Sequence, residues 1–171
     1  MNDNLQKAVF FDRDGVLNID TGYPHRVEDC HMIDGADDAL KFVHDHGYHA
    51  FIVTNQGGIG LGMYDEEALN AFNKALLKLI EKKGGVISDI AHSPHHPNSE
   101  DERLRASEMR KPNPGMLLML AEKYNIDLAH SFMIGDRETD MQAAAAAGCD
   151  GYLFKGGNLY DFIRNVMEER Q

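Results

Sequence analysis

The chain has 171 residues, of which 43% are hydrophobic and 26% charged, proportions that fit one globular domain with one core and exclude a disordered or fibrous chain. Its 17 Lys and Arg stand against 28 Asp and Glu, a formal charge of −11, and that average field excludes a nucleic-acid backbone as a general partner. A local basic cluster could still hold a small anion.

The first apolar run, Ala8 to Phe11, is short and rich in strand formers, and it breaks at Asp12-Arg13-Asp14-Gly15. A helix is expected from Gly35 on the spacing of Ala36, Ala39, Leu40 and Val43, with Gly47 as its stop. A second strand, Ala50 to Val53, ends at Thr54-Asn55-Gln56-Gly57-Gly58. Asp65-Glu66-Glu67 then favours the start of a long helix carrying Leu69, Phe72, Leu76, Leu77 and Ile80, closed by Gly84-Gly85. A third strand is expected over Ile87 to Ala91. Asn113 is placed to cap a helix beginning at Pro114, with Leu117, Leu118, Leu120 and Ala121 on its apolar side. Ser131 to Ile134 reads as a fourth strand broken at Gly135-Asp136, followed by a helix over Glu138 to Ala147 that closes at Gly148. A fifth strand, Gly151 to Phe154, and a last helix over Leu159 to Met167 complete the pattern. Two long irregular stretches remain, Val16 to Asp34 and Ser93 to Pro112, and long loops inside a compact domain are usually functional.

Strands alternating with helices predict a doubly wound parallel α/β sheet, because each crossover helix returns the chain to the same end of the sheet. Ligands of such sheets gather outside the carboxyl ends of the strands, where Asp12, Asp14, Thr54, Asn55 and Asp136 all fall. Any one of these could be a turn or cap residue. Together, at three strand ends, they point to a site.

Asp12 and Asp14 are two apart, so in an extended chain their side chains share a side. Adjacent carboxylates repel unless a proton or cation joins them, and with Asp136 they would make an all-oxygen site suited to a hard divalent ion such as Mg²⁺. Asp140, one helical turn later, is placed to orient Lys111 or a metal-bound water. Thr54 and Asn55 offer a hydroxyl and an amide for phosphate oxygens. Arg110 and Lys111 put two cations after a long loop, the positive clamp that a transferring phosphoryl group needs.

Four stretches, Phe10-Phe11-Asp12-Arg13-Asp14-Gly15-Val16, Val53-Thr54-Asn55-Gln56, Arg110-Lys111-Pro112 and Ile134-Gly135-Asp136-Arg137-Glu138-Thr139-Asp140, resemble the ordered motifs of the haloacid dehalogenase superfamily of phosphohydrolases. Within it, Asp20 to Tyr23, Ile33-Asp34-Gly35, Thr54 to Ile59, Ser93 to Pro97 and Arg110 to Met116 are similar to the D-glycero-D-manno-heptose bisphosphate phosphatases. The related histidinol phosphatases share the motifs but fit the loops less well. The resemblance implies a single three-layer, Rossmann-like domain over residues 1–171, without a cap domain and with an open site roofed by two loops. It implies Asp12 as nucleophile, forming an aspartyl phosphate, and Asp14 as the acid that protonates the leaving alcohol and then activates water. It also implies Mg²⁺ held by the Asp12 carboxylate, the Asp14 backbone carbonyl and Asp136. Thr54 and Lys111 would hold the phosphoryl group. Asp20, Thr21, Gly22, Tyr23, Asn55, Gln56, Gly57, Arg110 and Arg137 would contact the rest of the substrate.

One departure stands out. Where the family's second long loop carries a structural zinc on three cysteines and a histidine, this chain has Ser93, His95, Ser107 and Met109. Hydroxyl and thioether groups cannot replace thiolates for Zn²⁺, so no zinc is expected and packing and hydrogen bonds must hold the loop. A rival ligand set of His92, His95 and His96 has no visible fourth donor. Met116, Met119 and Met133 are expected to fill core, and the alanine run Ala143 to Ala147 to pack closely on the sheet.

Cys30 and Cys149 are the only cysteines, a count that suits a reducing compartment; Cys149 is expected to be a small buried residue. The start, Met1 to Lys7, lacks the basic end and apolar run of a signal peptide, and no stretch is long enough to span a bilayer. The expectation is therefore a cytoplasmic, monomeric, Mg²⁺-dependent phosphatase acting on a small phosphorylated sugar, with neither nucleic acid nor membrane as partner. Histidinol phosphate or another small phosphomonoester is the alternative substrate. A receiver-like domain that accepts phosphate and signals by binding is a different class, disfavoured because Asp14 gives the phosphoenzyme a route to hydrolysis.

Overall fold

Five short apolar runs become five parallel strands in the computed structural model, which describes residues 4–171. Met1–Asp3, at the head of the segment read for a signal peptide, lie outside the described residues. The strands are β1 (Lys7–Phe11), β2 (Tyr48–Asn55), β3 (Asp89–Ser93), β4 (Phe132–Gly135) and β5 (Asp150–Leu153), in the order β3-β2-β1-β4-β5. The helices are α1 (Ala36–Asp45), α2 (Gly57–Gly60), α3 (Glu66–Glu81), α4 (Gly115–Tyr124), α5 (Glu138–Ala147) and α6 (Leu159–Glu169).

Alternation along β1 sorts its side chains into two cores. Val9 and Phe11 face α1, α6 and the Leu76–Ile80 part of α3, whereas Ala8 and Phe10 face α4 and α5. The sheet is covered on both sides, which is why its strands read as unbroken apolar runs instead of alternating ones. This is the expected doubly wound, three-layer α/β fold. The winding direction reverses at β1, so the carboxyl ends of β1 and β4 open onto the switch point where such sheets bind ligands.

Several boundaries moved for identifiable reasons. β3 runs over Asp89–Ser93 instead of Ile87 to Ala91, because its ladder with β2 pairs Phe51 with Asp89 and Asn55 with Ser93; Ile87 packs against the core from outside the sheet. Asn113 does not cap α4. Its amide donates to Ser107 O at 3.0 Å, and Pro114 takes the cap position ahead of Gly115. Ser131, read as a strand residue, accepts a hydrogen bond from Ala8 N–H and donates to Asp127 O just before β4. The glycine-rich turn after β2 forms the short helix α2, which periodicity could not reveal. Asp65 caps α3 as expected, accepting from Ala68 N–H at 2.9 Å.

Met116 and Met133 fill core, but Met119 is 43% exposed and Leu118 45% exposed. Leu118 was expected on the apolar side of α4 and Met119 in the core; the helix turns both to solvent between its buried residues Leu117 and Leu120. Ala143, Ala144 and Ala147 lie against the sheet, as does buried Cys149, whose thiol burial pushes up to about 12. Among the described residues no helix is long and apolar enough to cross a membrane.

Candidate active site

Asp12 follows β1 directly, and its backbone N–H still bonds Ile134 O in β4 at 3.0 Å. Its Oδ1 accepts from Lys111 Nζ at 2.9 Å. The same ammonium, 3% exposed, donates to Asp140 Oδ1 at 2.6 Å and to Val53 O at 2.9 Å. Asp140 sits in the first turn of α5, where its Oδ2 accepts from the N–H groups of Asp136 and Arg137, both at 3.1 Å; a carboxylate is favoured there because unpaired N–H groups converge. Asp140 thus orients Lys111, as its position in the sequence suggested.

Asp12, Asp136 and Asp140 bring carboxylate oxygens within 4.8 Å of one another, and among the described residues they are the one group of three or more His, Cys, Asp or Glu placed so closely. Burial pushes the Asp12 carboxyl well above the ordinary carboxylate range; Lys111 opposes that, while Asp140 and Asp136 add to it. Burial likewise raises Asp136. For Lys111 burial works against the ammonium, yet Asp12 and Asp140 outweigh it and hold its pKa above the usual lysine value. Two glycines make this convergence possible: a Cβ on Gly15, whose φ is +86°, would collide with the Asp136 carboxylate, and one on Gly135 would collide with Asp140.

Asp14 behaves differently from the extended-chain expectation. The chain turns at Gly15, and the Asp14 carboxylate lies apart from the Asp12 cluster. It accepts from Arg13 Nε at 2.8 Å and Nη2 at 3.3 Å, from Asn18 Nδ2 at 3.0 Å and from Gln56 Nε2 at 3.3 Å. The Asp14 side chain is thus not part of the carboxylate group formed by Asp12, Asp136 and Asp140.

A cavity of about 370 Å³ opens above these groups, within the range of small-molecule sites. Asp12, Asp14, Asp20, Gly22, Tyr23, Asn55, Gln56, Gly57, Arg110, Lys111 and Arg137 line it. Three expected residues do not reach its wall. Thr21 is exposed beside it. Thr54 is 1% exposed, with its Oγ1 accepting from Gln56 Nε2 at 2.9 Å. Asp136 lies beneath, in the carboxylate group. Asn55 is also used internally: its amide grips the backbone of Lys111 from both sides, accepting from N–H and donating to C=O, both at 3.0 Å. Gln56 is 1% exposed and saturated by Asp14, Thr54, Arg13 and the Tyr64 hydroxyl.

Arg110 has no carboxylate partner among the described residues; its Nη1 donates to His95 O. Among the described residues Arg137 meets one carboxylate, Asp20, at 3.5 Å. The cavity therefore has two cations with little internal compensation. Sequence reasoning missed Tyr64, Glu138 and Thr139 on its wall, and weighed His96 there only as a rival metal ligand. Glu138, Thr139 and His96 lie inside stretches already quoted and were legible; Tyr64 comes from a loop that carries no periodic signal. Burial pushes the Tyr64 hydroxyl up to about 12, and burial followed by Arg110 lowers His96.

In the second long loop Ser93 is fully buried and its hydroxyl pairs with His95 Nδ1 at 2.8 Å. Met109 packs against the core under α4. His96 N–H bonds Leu104 O at 2.7 Å, Gly60 N–H bonds Pro94 O at 2.9 Å, and Arg105 donates to Ser99 O at 2.8 Å. His92 points instead to Glu66, at 2.8 Å. The His96 ring accepts from Asn98 N–H at 3.0 Å, so the three histidines turn to separate partners.

Residues 108–161 match the HAD-hydrolase-like family. Over 165 residues the chain is 38% identical to the D-glycero-beta-D-manno-heptose-1,7-bisphosphate 7-phosphatase of Rhodopseudomonas palustris, covering 96% of this chain and 92% of that protein. The chain belongs to the haloacid dehalogenase-like phosphatases. The enzyme of the same name from Photorhabdus laumondii is 43% identical over 82% of this chain and 75% of its own. The crystal structure of D,D-heptose 1,7-bisphosphate phosphatase from B. bronchiseptica, complexed with magnesium and phosphate, superimposes with a TM-score of 0.83 at 28% identity, covering 95% of this chain and 99% of that one. This HAD-like protein is accordingly a hydrolase of phosphomonoesters.

Proposed function

We propose that the protein removes the 7-phosphate from D-glycero-β-D-manno-heptose 1,7-bisphosphate, with Mg²⁺ as cofactor and Asp12 as nucleophile. The observation that carries the reading is the Asp12, Lys111, Asp136 and Asp140 cluster at the floor of a cavity that also holds the weakly compensated Arg110 and Arg137. One floor and two further cations suit a substrate with one phosphate to cleave and a second to recognise. The names of the relatives at 38% and 43% identity supply the sugar.

The residues present fit a magnesium ion. All donors are oxygens, and Asp136 Oδ1 is buried without a hydrogen-bond partner, an arrangement that costs free energy unless a cation or water completes it. Asp12, Asp136 and the Asp14 carbonyl would hold the ion. When bound it supplies positive charge that favours the ionised Asp12 and offsets the charge of the entering phosphate.

Lys111 orients the Asp12 carboxylate and, on the cavity wall, supplies the positive charge that binds phosphoryl oxygens, whereas Thr54, buried off that wall, holds Gln56. Asp12 attacks phosphorus to give an aspartyl phosphate while Asp14 donates a proton to the departing sugar hydroxyl. Asp14 then takes a proton from water as that water attacks the acyl phosphate, which frees phosphate and restores Asp12. Arg110 and Arg137 attract the remaining phosphate, and Asp20 and Tyr23 border the sugar. The enzyme works as a single-domain cytoplasmic monomer, a reading that rests on the low cysteine count of the sequence.

The test is a panel of sugar mono- and bisphosphates, with histidinol phosphate included, ranked by kcat/KM in Mg²⁺. The heptose bisphosphate should lead, and Asp12→Asn should abolish turnover of every substrate. A preference for histidinol phosphate overturns the substrate; full activity of Asp12→Asn overturns the nucleophile.

A further inference from the structure

Among the described residues Arg13 is the largest fully buried side chain, and it belongs to no step described so far. Its guanidinium makes a two-pronged contact with Asp14, Nε to Oδ1 at 2.8 Å and Nη2 to Oδ2 at 3.3 Å. Its Nη1 donates to Asn73 Oδ1 in α3 at 3.0 Å, and Nη2 also reaches Pro24 O at 3.0 Å and Gln56 Oε1 at 3.3 Å. The Phe72 ring lies 4.3 Å beneath it. A planar guanidinium fixed on three sides and stacked on a ring has little rotational freedom left.

Arg13 and Asp14 are neighbours in the chain, so their ion pair joins no distant segments. Its effect is to select one rotamer of Asp14. Buried ion pairs are in any case weak sources of stability, because desolvation offsets the attraction. The geometry points to Arg13 as a positioning residue for the phosphatase reaction: anchored by Asn73 and Pro24, it places the Asp14 carboxyl group, which in its protonated form gives its proton to the leaving alcohol and regains one from the attacking water. This rests on the reading of Asp14 as the acid.

A residue that acts through an acid matters most when the leaving group needs a proton. The variants Asp14→Asn, Arg13→Met and Asn73→Ala, with the double variant Asp14→Asn/Arg13→Met, are compared on p-nitrophenyl phosphate and on the best alkyl sugar phosphate of the panel. The measure is kcat/KM in Mg²⁺, which reports phosphoryl transfer to Asp12 and not the later hydrolysis. General acid catalysis contributes about 10²- to 10⁴-fold, so Arg13→Met should lose about tenfold or more on the alkyl phosphate and clearly less on the aryl one. Asn73→Ala, which keeps the Arg13–Asp14 contact but removes an anchor, should show a smaller loss with the same selectivity. In the Asp14→Asn background Arg13→Met should add no further alkyl-specific loss.

Equal losses on both substrates, or an undiminished loss in the Asp14→Asn background, overturn the proposal. Should Arg13→Met fail to fold by circular dichroism, the selectivity of Asn73→Ala decides in its place. If Asp14→Asn itself loses equally on both substrates, the acid assignment has failed; if Asp14→Asn is selective and the Arg13 and Asn73 variants are not, only the positioning role has.

Discussion

Replacing Lys111 with Met keeps the volume and removes the one cation inside the carboxylate cluster. At an effective dielectric of about 20 the attraction to a carboxylate at 2.9 or 2.6 Å is about 6 kcal/mol per contact. Desolvation of the three ions cancels much of this, so the pair is worth far less than the attraction alone. Breaking it is another matter, because Asp12 and Asp140 stay buried and lose their counter-charge, which typically costs about 3–5 kcal/mol. Burial already holds the Asp12 carboxyl above its ordinary value, so proton uptake relieves part of the repulsion and the expected loss is at the lower end, about 3 kcal/mol. Urea unfolding at pH 7 in EDTA measures it. Added Mg²⁺ should then stabilise the variant more than the parent, since the cation enters a site with one fewer competing charge. In Mg²⁺ the variant should lose about 10²- to 10³-fold in kcat/KM, the scale of one removed oxyanion donor. A variant within about 1 kcal/mol of the parent in EDTA, below the range for a broken buried pair, would refute the account of Lys111 as the compensating charge.

Gly15→Ala combines an unfavourable φ of +86° with a Cβ aimed at the Asp136 carboxylate; it should cost about 1–3 kcal/mol by thermal unfolding and weaken Mg²⁺ dependence by displacing Asp136. Asp140→Asn offers only one acceptor oxygen to a residue that now serves Lys111 and two backbone N–H groups, so about 1–3 kcal/mol of stability should be lost in the same assay. Met119→Lys, on the exposed side of α4, should lie within about 0.5 kcal/mol of the parent. Elemental analysis of untagged protein should find no stoichiometric zinc, because Ser93, Ser107 and Met109 offer no thiolate; one tightly bound zinc per chain would sink that reading.

The strand-end acids were legible because their chemistry depends on local order. A strand that stops at Asp12 and another that stops before Asp136 must present both residues at one end of a parallel sheet, and Asp140 follows one helical turn later on α5. Lys111 was legible as a cation after a loop, though nothing nearby in the chain tells that it is buried between two carboxylates from other elements. Gln56 and Asn55 show where such reasoning runs out. Both were expected to touch substrate, and both line the cavity, but most of their hydrogen bonds turn inward, to Asp14 and Thr54 in one case and to the Lys111 backbone in the other. An amide in a motif looks the same whether it faces ligand or protein.

By itself the sequence determined the fold class, the order of elements, the acids at the strand ends and the absence of thiolates in the second loop, because these follow from periodicity, residue type and spacing along one segment. Tertiary structure alone decided which side chains share charge and which face solvent. It put Asp140 rather than the Asp14 carboxylate beside Asp12 and Asp136, turned Met119 outward, and buried Arg13 against residues 11 and 60 positions away. Those outcomes depend on distances between segments remote in the chain, and electrostatic and packing energies are set by such distances.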